Sequence, residues 1–135
     1  MKKSIRKLLT GALVCTSLVT VGATAYATTG NFYFQLGRNQ VSSSSTQYKD
    51  DSEQTAYITV TSSDLSNVPN DTMHLRVRTD VGQLATNSVE AKYTGSYTTS
   101  YTFLRGQAGS GYKLYGQYDS ESPYQQGMVQ GRWTP

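Results

Sequence analysis

The chain has 135 residues, with 12 Lys and Arg against 9 Asp and Glu, for a formal net charge of +3. Four of those cations, Lys2, Lys3, Arg6 and Lys7, open the chain, so from Thr28 onward eight cations face nine acids and the balance is nearly neutral. The basic isoelectric point of about 9.0 therefore belongs to the whole chain, and no nucleic-acid or anionic-membrane partner is expected from it, because such binding needs a retained basic surface.

Residues 1–27 have the pattern of a secretory signal peptide: the cationic start, an uncharged apolar run from Leu8 to Thr24, then Ala25-Tyr26-Ala27 with small residues where a signal peptidase reads. The expected organisation is a leader over 1–27 and one mature domain over 28–135, secreted to the extracellular side and free to be retained at the cell surface. The single cysteine, Cys15, lies inside the apolar run. A lipid-attachment site wants a small residue before the cysteine, and Val14 stands there, so lipidation is not expected. The mature domain then has no thiol chemistry: no disulfide, no cysteine nucleophile, no thiolate ligand. No later apolar run approaches the ~20 residues that span a bilayer, so no transmembrane anchor is expected in the mature form.

In chain order, Asn31 to Leu36 reads as a strand with Phe32, Phe34 and Leu36 on one face. Arg38 to Gln54 is polar, with Ser42 to Thr46 expected as a mobile loop and Tyr48-Lys49 as a short edge strand. Thr55 to Thr61 alternates again, burying Ala56, Ile58 and Val60. Pro69-Asn70-Asp71 is a turn signal, because proline presets φ and Asn tolerates a left-handed backbone. Met73, Leu75 and Val77 then alternate with His74, Arg76 and Arg78. Val89, Ala91 and Tyr93 mark a fourth strand, Gly95-Ser96 a tight connection, and Tyr97 to Leu104 a fifth strand with Tyr97, Thr99, Tyr101 and Phe103 on one face. Gly106, Gly109 and Gly111 supply a hairpin loop before Tyr112 to Tyr118, and Gly127 to Trp133 closes the set. About seven short strands with scarce helix formers predict an all-β, antiparallel two-sheet sandwich, with a small barrel as the alternative.

The candidate chemistry is thin. His74 is the only histidine and shares a strand face with Arg76 and Arg78, which suits either an anion-binding stripe or a solvated outer face. No G-x-S-x-G elbow accompanies it, so nucleophilic catalysis is not expected. A lone histidine without cysteine argues against a zinc site. The acidic sets Asp50, Asp51, Glu53 and Asp119, Glu121 lack the spacing of a calcium loop. The loop from Gly106 to Gly111 precedes a Tyr-rich strand rather than the helix that a phosphate cradle needs. Asn70-Asp71-Thr72 reads as a turn. No catalytic residue, metal or cofactor is expected. The unusual feature is aromatic: ten Tyr, three Phe and one Trp follow the leader. Most of Phe32, Phe34, Tyr101, Phe103 and Trp133 are expected in the core, while Tyr112, Tyr115, Tyr118 and Tyr124 are the candidate ligand-binding cluster.

The leader, the aromatic first strand Phe32-Tyr33-Phe34, the Tyr48-Lys49 pair, the closing Tyr112-Lys113-Leu114 strand and the terminal Gly131-Arg132-Trp133 follow one another in a familiar order. That order resembles a family of short exported proteins of Gram-positive bacteria classed as a domain of unknown function, and it implies no catalytic residues. Being small, exported and rich in Tyr, Gly and Ser, the chain is also similar in style to β-sandwich bacteriocins. The expected function is a secreted, non-enzymatic interaction module that binds a surface glycan, peptide or protein through an aromatic- and hydroxyl-rich face. The alternative is a bacteriocin-like antagonist of a competitor's envelope.

Overall fold

The alternating segments are strands in the computed structural model, which describes residues 28–103 and 105–135. The signal-peptide reading of 1–27, Cys15 included, lies outside the described residues, as does Leu104. The strands are β1 (Gly30–Gly37), β2 (Val41–Ser43), β3 (Gln47–Tyr48), β4 (Thr55–Ser63), β5 (Thr72–Thr79), β6 (Val89–Ala91), β7 (Gly95–Ser100), β8 (Gly111–Asp119) and β9 (Gln126–Thr134), with a 3-10 turn over Leu65–Asn67. They form two antiparallel sheets: a four-stranded one ordered β1-β9-β4-β7, and a five-stranded one ordered β2-β8-β5-β6 in which β3 also pairs with β8. The sheets stack as a sandwich. Among the described residues, no helix is long and apolar enough to cross a membrane.

Period-two alternation fixes which face of each strand is buried. Phe32, Phe34 and Leu36 of β1, Ala56, Ile58 and Val60 of β4, and Val129 and Trp133 of β9 meet Met73, Leu75 and Val77 of β5 and Tyr112, Leu114 and Tyr118 of β8 in one core. The Phe32 and Phe34 centroids are 5.3 Å apart, and Tyr101 meets Tyr112 edge-on at 5.2 Å. Two glycines let backbone and rings approach. A Cβ on Gly116 would stand 2.5 Å from the Phe34 ring, and one on Gly131 would stand 1.9 Å from the Thr59 carbonyl oxygen. The second contact lies where β4 shifts register against β9, between Val60 and Ser62.

Four expectations need correction. The segment from Ser42 begins in β2 rather than in a mobile loop. It has little to bury, but β8 supplies its hydrogen bonds, and Ser44 N donates to Leu114 O at 2.8 Å. Gly95 and Ser96 are not a tight connection; they pair with Val60 and Thr59 at the start of β7. Tyr93 falls beyond the end of β6 and is exposed. Phe103 is not in the core: β7 ends at Ser100, Phe103 takes a left-handed φ of 55°, and its side chain is 90% exposed. Once the strand ends, parity no longer decides which way a side chain points.

Candidate functional site

The four candidate tyrosines do not form one patch. Tyr112 and Tyr118 share the inward parity of Leu114 and are buried. The Tyr112 hydroxyl donates to Arg105 O and accepts from Gln107 N at 2.9 Å, which ties down the loop before β8. The Tyr118 hydroxyl donates to the buried carboxylate of Asp71. Burial, and then that carboxylate, push the Tyr118 phenol up to about 12. Tyr115 points to the opposite face of the same strand, and Tyr124 sits on the β8–β9 loop, 94% exposed.

Other aromatic side chains occupy the surface instead. The outer face of the four-stranded sheet carries Tyr33 and Tyr57, 58% and 45% exposed. The register sets Gln130 opposite Tyr33, Arg132 between Asn31 and Thr59, and Thr134 and Thr98 on either side of Tyr57. Both rings are held by their hydroxyls. Tyr33 donates to Gln35 Oε1 at 2.8 Å, Gln35 Nε2 in turn donates to Gln126 at 3.3 Å, and Tyr57 donates to Glu53. The Glu53 bond holds the Tyr57 phenol above its usual value. The rings stand two strands apart, about 10 Å across, and roughly 13 Å along the strand direction. Asn31, Tyr33, Thr61 and Gln130 line a shallow open groove between them beside Gly131.

The outer face of the five-stranded sheet differs in charge. His74, Arg76 and Arg78 project from β5, and β8 sets Gln117, Tyr115 and Lys113 opposite them in that order. The Arg78 guanidinium lies 5.2 Å from the Tyr115 ring centroid and donates through Nη1 to Gly82 O at 3.0 Å. The expected stripe exists, and sequence reading missed Lys113 and Tyr115 as its neighbours. His74 Nε2 stands 3.9 Å from Asp119 Oδ2, an ion-pair distance too long for a hydrogen bond.

Elsewhere the acidic residues are committed to structure. Lys49, only 1% exposed, pairs with Asp51 at 2.8 Å, donates to Pro135 O at 3.2 Å and lies 5.3 Å from the Tyr101 ring centroid. Its hydrogen bond, with one from the Glu53 N–H, holds the Asp51 carboxyl below the usual range. The sequence marks Lys49 only as an edge-strand residue and gives no sign of its burial. Among the described residues no group of three or more His, Cys, Asp or Glu is placed to hold a metal ion. Asn70 takes the left-handed φ of 61° that its turn requires.

At one end of the sandwich Val81, Leu84 and Phe103 are exposed. Arg105 joins them: its guanidinium donates to Leu84 O and lies 5.9 Å from the Phe103 ring centroid, and it shares a surface hollow with Val81. No family model, no curated protein and no solved structure matches the chain, so its function has to be read from these surfaces.

Proposed function

We propose that the chain is an exported, non-catalytic interaction module that binds a surface glycan on the outer face of its four-stranded sheet. The carrying observation is the pair of exposed rings, Tyr33 and Tyr57, each pinned through its hydroxyl amid Thr59, Thr98, Gln130 and Arg132. A flat ring stacks on the apolar face of a sugar, and hydroxyl and amide groups exchange hydrogen bonds with its edge. Rings already held in place lose little freedom on binding, which favours affinity. The face is the middle of a sheet rather than a free edge, so it suits a flat ligand better than an added peptide strand. Export rests on the leader pattern of 1–27. The absence of a catalytic role is supported by His74, whose nearest carboxylate is 3.9 Å away and which makes no bond to a nucleophile.

The test is retention of the chain from Thr28 to Pro135 on immobilised bacterial surface polysaccharides. Saturable binding that competes with the free polysaccharide is expected. Binding unaffected by Tyr33→Ala combined with Tyr57→Ala, or retention on peptides alone, would overturn the reading.

A second reading, antagonism of a competitor's envelope, is favoured by the exposed tip of Val81, Leu84 and Phe103 around Arg105. Apolar side chains beside a cation suit a lipid–water boundary. Growth inhibition by the purified protein that Phe103→Ser abolishes would support it.

A further inference from the structure

The outer face of the five-stranded sheet holds an arrangement that the fold does not need. Arg78 lies directly opposite Lys113 across the β5–β8 pair, with Arg76 one step along the same face. Like charges directly opposite each other destabilise a strand pair. Nothing nearby relieves this one: among the described residues, Arg76, Arg78 and Lys113 have no carboxylate within ion-pair distance. The acids around the face stand at its margins. Glu90 is opposite His74, Asp119 is opposite Thr72, and the Asp80 carboxylate lies toward Gly111 past the end of β5. A domain with nine acids for eight cations has placed three cations side by side here without one of those acids.

The cations are also held ready. Arg78 is anchored by its bond to Gly82 O and by the Tyr115 ring, its buried Nε finds no protein partner, and it cannot swing freely into solvent. Val41, His74, Arg76, Arg78, Tyr115 and Gln117 surround a cavity of about 40 Å³, room for a small oxyanion and too little for a sugar ring.

We infer that this face is a second binding site, for phosphate groups carried along a linear polymer. Guanidinium forks match tetrahedral oxyanions, and charge-assisted bonds of this kind are the strong ones. Three adjacent cations call for more negative charge than one carboxylate brings. Arg76 and Arg78 are about 7 Å apart along one strand, so they would engage successive phosphates of a chain rather than a single ion. The site lies across the core from the sugar-binding face and does not depend on it.

The probe is inorganic tripolyphosphate, which contains no sugar, titrated calorimetrically into the protein from Thr28 to Pro135 at low and physiological salt. The wild type is expected to bind at one site with affinity that falls steeply as salt rises. Arg76→Gln and Lys113→Gln are each expected to weaken binding about tenfold and to flatten the salt dependence. Neither side chain makes a hydrogen bond within the described residues, so both variants should keep the wild-type circular-dichroism spectrum. Arg38→Gln removes the same charge from the exposed turn after β1 and should change nothing. Three results would overturn the inference: no binding at low salt, an Arg38→Gln loss equal to that of Lys113→Gln, or a single-stranded oligonucleotide bound far more tightly at equal phosphate. The last would assign the face to bases stacked on Tyr115.

Discussion

The ring of Phe34 lies directly over Gly116 of the opposing sheet, so close that an added methyl group would stand 2.5 Å from Cδ2. The sandwich closes here because β8 carries no side chain at that step. Gly116→Ala is expected to lower stability by about 1–3 kcal/mol as Phe34 is forced from its rotamer. Gly131→Ala should be worse, because its neighbour at 1.9 Å is the Thr59 backbone carbonyl, which cannot rotate away. Thermal melts of the two variants should rank them in that order.

Tyr33 and Tyr57 are surface residues whose bonds reach only Gln35 and Glu53. Their alanine variants should melt within about 0.5 kcal/mol of the wild type. On any polysaccharide the protein retains, each should weaken binding by about tenfold or more, the usual loss when a ring central to an interface is removed. Equal losses of stability and affinity would instead mark the rings as structural.

The alkaline limb of stability should carry the signature of Tyr118. Its phenol is raised from 10.0 to about 12 by burial and by Asp71. The unfolded chain therefore releases this proton first. The stabilisation is complete below pH 10 and is lost as pH rises through about 12. Denaturant midpoints measured across that window should fall in the wild type, and more gently in Tyr118→Phe.

On the acid side the sign reverses. The Asp51 carboxyl is depressed below its ordinary value of 3.8 by the Lys49 hydrogen bond. Its contribution is present above 3.8 and disappears as pH falls through the lower folded value. Asp51→Asn should flatten the stability curve only in that acid range. The effect should be small and sensitive to salt, because the carboxylate is more than half exposed. Lys49→Ala reaches further: it leaves Pro135 O without its donor and opens space beneath Tyr101, and should cost about 2 kcal/mol.

Phe103 holds a left-handed backbone with its ring almost wholly in solvent. Phe103→Gly should raise stability by about 1 kcal/mol, since a glycine adopts that conformation without strain and no packing is lost. A fall in the melting temperature would show that the ring packs against something in solution.

Much of this architecture was legible before any coordinates. Phe32, Phe34 and Leu36 announced the inner face of β1, and Met73, Leu75 and Val77 that of β5, because alternation is a local property. Tyr115 was likewise marked as opposed to Tyr112 and Tyr118. Leu114 was the available signal that the latter two face inward. What escaped reading was non-local. That Lys113 meets Arg78 follows from a register between segments more than 30 residues apart in the chain, which no periodicity records. The burial of Lys49 depends on Tyr101 and Pro135 arriving from elsewhere. Phe103 deceived because its parity was counted past the point where β7 stops.

β9 comes last of the nine strands in sequence, yet it lies between β1 and β4 and is the only hydrogen-bonding neighbour of β1. A polypeptide threaded N-terminus first from a ribosome or a translocation pore therefore exposes Phe32, Phe34 and Leu36 on an unzipped ribbon until residues 126–134 emerge. Closure must wait for the tail. The nascent chain stays unfolded, and so able to pass a narrow channel, for nearly the whole of its transit.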